Sequence, residues 1–464
     1  MAAQLTALIM AAGHGTRMRS SLAKVLHPVC GVPMVHWVVE AAQRAAADRV
    51  VCITRPGEGV AENLPAGVES ADQTDGEGTG SAILAARDAI AQSERVIILS
   101  GDVPLTSPDT IEGLIEEHER EHATATLLTT EELDPTSYGR IVRDHPDGPV
   151  QRIVETKSTD GVPPEVLEIR EINVGTYVFE ADELLSALDA IPVEDNGERY
   201  FTSVFPILLE RGQRIAAHRT GDVLTAMGVN TRADLMEVTR HAQRRILREH
   251  ATNGVTFTAP DSVAIDKDVT IGTDTTIAGG TTLRGATSIG ERCEIGPATT
   301  ITDSQIEDEV TIPHSFLVEC RIANGAKIGP FAYLRPEADI REKAKVGTFV
   351  EVKKSTVHEG AKVPHLSYIG DADVGRNANL GAGTITANYH RGRKTRTTIG
   401  EGVHTGVHTA LVAPVNVGDA AYTGAGSVIT EDVPDGALAV SRPRDSQKNV
   451  EGYTKRVNEE SEQS

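Results

Sequence analysis

Two stretches of this 464-residue chain hold residues whose types and spacing suit chemistry. The first is Met10-Ala11-Ala12-Gly13-His14-Gly15-Thr16-Arg17-Met18, with Lys24 shortly after. Its small residues let backbone N–H groups approach a phosphate closely, and Arg17 and Lys24 add positive charge. A tight strand-to-helix turn uses the same residues, so Gly-x-Gly alone leaves phosphate binding and simple turning equally open. The second stretch runs from Phe331 to Tyr389, where Arg335, Glu351, Lys353, His365, Tyr368, Asn379 and Asn388 recur between regularly spaced apolar residues. Taken singly, His365 is one of fifteen histidines, and an exposed imidazole is more often structural than catalytic.

The elements that must position these residues differ between the two halves. Up to about residue 230, the apolar runs Ala7-Leu8-Ile9-Met10, Val50-Val51-Cys52-Ile53 and Val96-Ile97-Ile98-Leu99 alternate with helical spacing at Val35 to Ala47 and Gly80 to Ala91. That alternation predicts βαβ units and an α/β domain with a mostly parallel, Rossmann-like sheet. Ligands of such sheets sit at the carboxyl ends of strands, so Gly13 to Met18 and Ser100-Gly101-Asp102-Val103-Pro104 are where chemistry is expected. From Thr231 to His250 the pattern becomes one amphipathic helix, with Thr231 and Asp234 as a capping box and Asn253-Gly254 as a stop. It predicts domains at 1–230 and 254–464 joined by a helical linker at 231–253.

Beyond the linker the period is six. Ile265, Ile271, Ile277, Leu283, Ile289, Ile295 and Ile301 fall at six-residue intervals, and the series resumes at Ile322, Ile328, Leu334, Ile340, Val346 and Val352. A third run is Ile399, Thr405, Leu411, Val417, Thr423 and Ile429, and glycines such as Gly272, Gly290, Gly347, Gly400 and Gly418 trail many of these positions. One inward aliphatic per hexapeptide predicts a parallel β-helix with glycine at its corners. The basic segment Thr386 to Thr398 breaks the period and predicts a loop thrown outward. From about Pro443 the polar, aperiodic sequence predicts a tail ordered only where a partner holds it.

Composition narrows the function classes. Acidic side chains number 67 against 45 basic, a net charge of −22 spread along the chain, which argues against bulk binding of nucleic acid or anionic membranes. Anionic ligands therefore need local Lys, Arg or metal. Cys30, Cys52, Cys293 and Cys320 show no paired spacing, so neither a zinc site nor a redox dithiol is expected. The apolar N-terminus is too short and lacks the basic start of a signal peptide, and no stretch nears the roughly 20 apolar residues that span a bilayer, so a cytoplasmic protein without membrane insertion is expected.

The glycine-rich segment with Lys24-Val25-Leu26 resembles the nucleotidyltransferases that make sugar nucleotides. Further pieces follow in that family's order: Gln73, Gly78-Thr79-Gly80, Gly101-Asp102-Val103-Pro104, Tyr138-Gly139-Arg140, Val154-Glu155, Glu171-Ile172-Asn173 and Gly228-Val229-Asn230. With the β-helix attached, nearly the whole chain resembles the bifunctional N-acetylglucosamine-1-phosphate uridyltransferase and glucosamine-1-phosphate N-acetyltransferase family. The resemblance implies uridylyl transfer from UTP to N-acetylglucosamine 1-phosphate, with Arg17 and Lys24 holding the triphosphate and Asp102 and Asn230 holding Mg²⁺. It implies a nucleotide and sugar site made of Met10, Ala11, Ala12, Gly13, Lys24, Gln73, Gly78, Thr79, Ser100, Gly101, Asp102, Gly139, Glu155, Asn173 and Asn230. Taken singly, Asp102 and Asn230 read equally as turn or cap residues. Ala23 replaces the family's usual proline, and His14 stands where Lys, Gln or Leu is usual.

The blocks of the C-terminal half resemble the acetyltransferase part of the same family, with its left-handed β-helix of hexapeptide repeats. That implies transfer from acetyl-CoA to glucosamine 1-phosphate, with His365 as general base and Glu351 a candidate to orient it. Arg335 and Lys353 would bind the sugar phosphate, Tyr368 and Asn379 the sugar, and Ala382, Asn388, Tyr389, Val407, Ala425 and Arg442 the CoA. Val407 replaces the family's usual serine, which removes a hydroxyl contact. The basic loop with Arg391, Arg393, Lys394 and Arg396 is either a solvated protrusion or reaches CoA phosphates or a neighbouring subunit. The resemblance also implies a homotrimer and a place in peptidoglycan precursor synthesis. Two competing readings are a single-activity pyrophosphorylase whose β-helix only regulates or trimerises it, and a non-enzymatic assembly subunit. The His365, Tyr368, Asn388 and Tyr389 set speaks against the first, and the Arg17, Lys24, Asp102 and Asn230 set against the second.

Overall fold

The computed structural model describes residues 3–74, 76, 78–136, 138–145, 148–154, 156, 162–193, 197–390 and 392–441. The chain divides into two compact units, Met1–Arg248 and Glu249–Ser464. Among the described residues no helix is long and apolar enough to cross a membrane.

The first unit is built on a nine-stranded sheet, whose central path runs Ile215–Arg219, Ala125–Thr130, Ile172–Glu180, Ser93–Ser100, Ala3–Met10, Arg49–Thr54, Glu69–Asp72. All neighbours on this path are parallel except Ile172–Glu180, which runs antiparallel to both of its own. The middle strands are buried on both faces, which is why they read as continuous apolar runs. Leu8, Val51, Ile98 and Phe179 belong to one core, and Ile9, Cys52, Ile97 and Val178 to the core across the sheet. The expected helix at Gly80 to Ala91 is two helices, Thr79–Ala85 and Arg87–Ile90, meeting at Ala86.

The helix Arg232–Thr252 begins with the expected reciprocal cap: Thr231 N–H donates to Asp234 Oδ2 at 2.8 Å, and Asp234 N–H to Thr231 Oγ1 at 3.2 Å. Gly254 then takes a left-handed conformation that ends it. The division at Arg248 and Glu249 falls inside this helix.

The second unit is a three-sided parallel β-helix in which two- to four-residue strands stack into three sheets. Ile265 stands on Leu283 and Leu283 on Ile301, so one coil takes eighteen residues, three hexapeptides. All the periodic aliphatics point inward, and only Ile271, near the start of the helix, is less than fully buried. A second inward position, two residues earlier, is less conspicuous in the sequence because it carries Thr, Ser, Cys, Ala or Val. Thr275, Thr281, Thr287 and Thr299 are buried there, their hydroxyls donating to backbone carbonyls such as that of Gly290 at 2.8 Å from Thr275.

Two expectations need correcting. The glycines that trail the aliphatics do not make the corners. A Cβ on Gly347 would lie 2.0 Å from the Pro364 carbonyl oxygen, and one on Gly272 2.7 Å from Gly290, so they are required where successive coils approach. The left-handed corners are shared by other glycines, such as Gly280, Gly325, Gly383 and Gly426, and by ordinary residues, among them Phe331, Phe349, Leu366 and His408. The interruption is also shorter than expected. Ile385–Ala387 and Thr397–Ile399 are coil strands, and only the hairpin of Tyr389–His390 with Arg393–Lys394 leaves the coil. Residues 442–464, which include the expected tail, lie outside the described residues.

Candidate active sites

In the first unit, the ends of Ala3–Met10, Arg49–Thr54, Glu69–Asp72 and Ser93–Ser100 open onto a cavity of about 290 Å³. Met10, Ala12, Gly13, Lys24, Gln73, Gly78, Thr79, Ser100 and Asp102, all in the set that the resemblance implied, line it together with His14 and Arg55. Ala11 and Gly101 hold the floor: Ala11 N–H donates to Ile53 O and Gly101 N–H to Met10 O, each at 2.9 Å. Gly13 has open space where a Cβ would stand, leaving its backbone accessible.

Past this loop, the 3-10 turns Thr16–Met18 and Lys24–Leu26 carry Arg17 and Lys24. Gly15, immediately before the first turn, adopts φ 57°, and a Cβ there would strike Lys24 Cβ at 2.7 Å, so glycine is needed for the turns to nest. Lys24 Nζ donates to Asp102 Oδ2 and lies 3.4 Å from Asn230 Oδ1, which also accepts from Arg17 Nη2 at 2.9 Å. Arg17 and Lys24 thus share one amide oxygen, that of a residue 213 positions after Arg17. A magnesium ion needs only one or two protein oxygens, with phosphates and water completing its shell. The ammonium group lies where a carboxylate and an amide oxygen converge, so this donor set fits a small hard cation. Among the described residues no group of three or more His, Cys, Asp or Glu side chains forms another metal site.

Gly139 and Asn173 do not line that cavity. Asn173 N–H donates to Gly139 O at 2.9 Å, and its side-chain amide donates to Tyr177 Oη at 2.8 Å. Beside them lies a buried ion cluster: Glu171 accepts from Arg143 at 2.6 and 2.8 Å and from Thr129 Oγ1 at 2.7 Å. Burial pushes the Glu171 carboxyl up, but the Arg143 and Thr129 hydrogen bonds and the Arg143 and Arg219 charges outweigh it and hold it below the ordinary value. Glu155 lies outside the described residues. Gln73 is buried, its amide donating to Gly76 O at 3.1 Å. Arg55, one residue beyond Arg49–Thr54, donates to Ala12 O at 3.2 Å. It was missed in the sequence, although the strand-end rule that marked Asp102 points to it as well.

In the β-helix the sequence-derived residues fall into two lines. Leu366 N–H donates to Thr348 O, Gly383 N–H to His365 O, His408 N–H to Ala382 O and Gly426 N–H to Val407 O. His365, Ala382 and Val407, with Ala425 on the next coil, therefore occupy the same corner position on successive coils, each followed by a left-handed residue. Around the corner, Tyr333 pairs with Glu351 and Glu351 with Tyr368 on adjacent strands. Asn388 donates to Asp371 and lies 3.4 Å from Tyr368 Oη. Lys353 is beside Lys394 of the hairpin, which lowers its pKa by placing two ammonium groups together. Such a pair suits a phosphate. Asn379 is exposed on the neighbouring face, Tyr389 is exposed on the hairpin, and Arg442 lies outside the described residues.

The expected role of Glu351 is not what its contacts support. Its Oε1 accepts from Arg335 Nη1 at 2.8 Å, an ion pair that raises the Arg335 pKa. Its register partners are Tyr333 and Tyr368, while His365 sits at the preceding corner. Arg396 is likewise engaged, its guanidinium donating twice to Asp373 at 2.7 Å.

Residues 7–253 match the MobA-like NTP transferase domain family. The chain is 44% identical over 455 residues to the bifunctional protein GlmU of Listeria monocytogenes serotype 4a (strain HCC23), covering 97% of this chain and 98% of that one. It is 45% identical over 453 residues to the bifunctional protein GlmU of Caldanaerobacter subterraneus subsp. tengcongensis, covering 97% of each. The protein of the same name from Heliobacterium modesticaldum is 45% identical over 442 residues, 95% of this chain and 96% of that one.

Proposed function

The chain belongs to the GlmU family of bifunctional proteins, and from that premise we propose how its two units divide the synthesis of UDP-N-acetylglucosamine. The protein is a bifunctional enzyme that acetylates glucosamine 1-phosphate with acetyl-CoA, then transfers uridylyl from UTP to the N-acetylated product and releases pyrophosphate. We assign uridylyl transfer to 1–230, acetyl transfer to 254–464, and the linker to 231–253. The observation that carries this reading is that each unit gathers its own set of residues: Lys24, Asp102 and Asn230 beside the phosphate-sized loop, and His365 in a corner line with Ala382 and Val407.

In uridylyl transfer a phosphate oxygen of the sugar attacks the α-phosphorus of UTP, and the bond to the β-phosphate breaks. Charge neutralisation and positioning are the protein's contribution. Arg17 and Lys24 leave Asn230 and Asp102 to meet the triphosphate, exchanging one set of oxygens for another. The freed Asp102 and Asn230 oxygens would hold Mg²⁺, which supplies charge stabilisation on the phosphates. Gln73, Gly78 and Thr79 read the base, and Gly139, Glu155 and Asn173 hold the sugar. In acetyl transfer the amine nitrogen attacks the thioester carbonyl, the C–S bond breaks, and His365 takes the amine proton. Lys353 and Lys394 bind the sugar phosphate, with Arg335 steadied by Glu351; Tyr368 and Asn379 hold the sugar. Ala382, Asn388, Tyr389, Val407, Ala425 and Arg442 form the CoA groove, where Val407 offers only its backbone.

We place the enzyme in the cytoplasm, which fits its substrates and its four buried cysteine thiols, and assemble it as a homotrimer along the β-helix. The exposed Phe331, Phe349 and Leu366 favour such packing. Purified protein supplied with glucosamine 1-phosphate, acetyl-CoA, UTP and Mg²⁺ is expected to release both CoA and pyrophosphate, and to sediment as a trimer. If no CoA is released, the acetyl-transfer assignment fails; if it sediments as a monomer, the assembly does.

A further inference from the structure

Arg17, Lys24 and Asn230 stand on three separate segments, and one side chain joins all three. Arg232, two residues after Asn230, donates from Nε to the carbonyl of Met18 at 3.3 Å, at the end of the turn that carries Arg17. Its Nη1 lies 3.2 Å from Nδ1 of His27, which directly follows the Lys24–Leu26 turn. A guanidinium has only donors, so Nδ1 accepts and the imidazole is neutral with its proton on Nε2. His27 is 4% exposed, and Nε2 makes no hydrogen bond of ordinary geometry. Burial and the Arg232 charge push its pKa down against a weaker pull from the Leu22 carbonyl. The remaining contacts brace each segment: His27 N–H donates to Lys24 O and Met34 N–H to His27 O, while Asp234 accepts from the N–H groups of Asn230 and Thr231.

We propose that Arg232 and the buried His27 form a clamp that sets where Arg17, Lys24 and Asn230 stand, which makes both of them positioning residues for uridylyl transfer. A sidechain-to-carbonyl bond and a sidechain-to-ring bond from one planar guanidinium fix two turns against the segment that bears the guanidinium. Displacement of reacting groups by about 1 Å is enough to lower rates on the order of a hundredfold, so such a clamp matters even though it touches no substrate. The inference rests on the reading of Arg17, Lys24 and Asn230 as the groups that meet triphosphate and metal.

The test uses the full-length enzyme and four variants, R232M, R232K, H27L and H27N, with pyrophosphate release and CoA release measured in the same preparation. Asparagine can offer its side-chain oxygen where Nδ1 stood, and leucine cannot. R232M and H27L are expected to raise the KM for UTP about tenfold and lower kcat about tenfold, leaving the KM for N-acetylglucosamine 1-phosphate and the acetyl transfer within about twofold. H27N should recover most of the loss, and R232K, which can make only one of the two bonds, should fall between. Equal rises in both KM values, or H27N as damaged as H27L, would overturn the clamp in favour of general loosening. Unchanged UTP kinetics in R232M and H27L would overturn it outright. R17A, K24A and N230A, run alongside, separate the two failures: if these also leave UTP kinetics unchanged, the site assignment falls and the clamp with it, whereas if they are damaged and R232M is not, only the clamp falls.

Discussion

In the α/β unit, Tyr177, Phe179, Phe201 and Phe205 pack against each other in the interior, with Tyr177 5.3 Å from Phe201 and Phe179 5.6 Å from Phe205 between ring centroids. In the β-helix the rings are outside: Phe331 stacks on Phe349 at 5.4 Å, and the two are 54% and 59% exposed. A layered domain can shape its core around large side chains, because helices and sheet stand well apart. A coil interior is filled by aliphatics and threonines from three close sides, stacked at about 4.8 Å along the axis, and has no room for a ring. The same contrast governs the sites. Sheet order brings Arg17 to Asn230 from opposite ends of the unit, whereas coil stacking lines up His365, Ala382 and Val407 by register alone. A site of the first kind depends on turns and caps, and one of the second on the evenness of the repeat.

The sharpest break between the regions is catalytic. His365→Ala is expected to lower CoA release on the order of 10²- to 10⁴-fold while leaving pyrophosphate release intact, and Asp102→Ala to do the reverse. Joint loss of both activities in folded protein would refute two separate sites. Next in size is the core contrast: Phe205→Ala should cost about 3–5 kcal/mol in denaturant unfolding of the α/β unit, and the exposed Phe349→Ala within about 0.5 kcal/mol for the β-helix itself. Equal losses would mean that Phe349 is buried in the assembly.

Glycine separates the regions at a smaller scale. Gly347→Ala drives a methyl into the Pro364 carbonyl and should destabilise the β-helix by about 1–3 kcal/mol, whereas Gly221→Ala, with nothing within 4 Å, should leave the α/β unit within about 0.5 kcal/mol, both read from unfolding midpoints. The smallest effect expected is a pH dependence. The folded-state pKa of Glu171 is depressed, so its contribution is present above the unfolded value of about 4.3 and is lost as pH falls through the folded one. Glu171→Gln should flatten the acid limb of the α/β unfolding midpoint below that pH. The exposed pairing of Arg292 with Glu291 and Glu309 on the β-helix should give no such limb when Arg292 is replaced by Met. A parallel shift of both would assign the acid loss to net charge instead.

Much was legible without coordinates because it is local. The period of six, the capping box at Thr231 and Asp234, and the glycine-rich turn after Met10 are each written within a few residues, and the backbone there has few alternatives. The second inward column escaped because threonine reads as polar, and its hydroxyl is satisfied by a backbone carbonyl, of the next coil at Thr275 and three residues back at Thr281. The corners escaped because left-handed backbone at Phe331 or Leu366 is held by hydrogen bonds to the coil below, which no local pattern encodes. Sequence alone determined two architectures and named most of the residues that line the cavity at the strand ends. Tertiary structure decided which of them meet: that Glu351 serves Arg335, that Arg55 joins the cavity, and that Arg232 ties two distant turns together. Those partnerships depend on sheet order and coil register, and such long-range geometry is set by the packing of the whole unit.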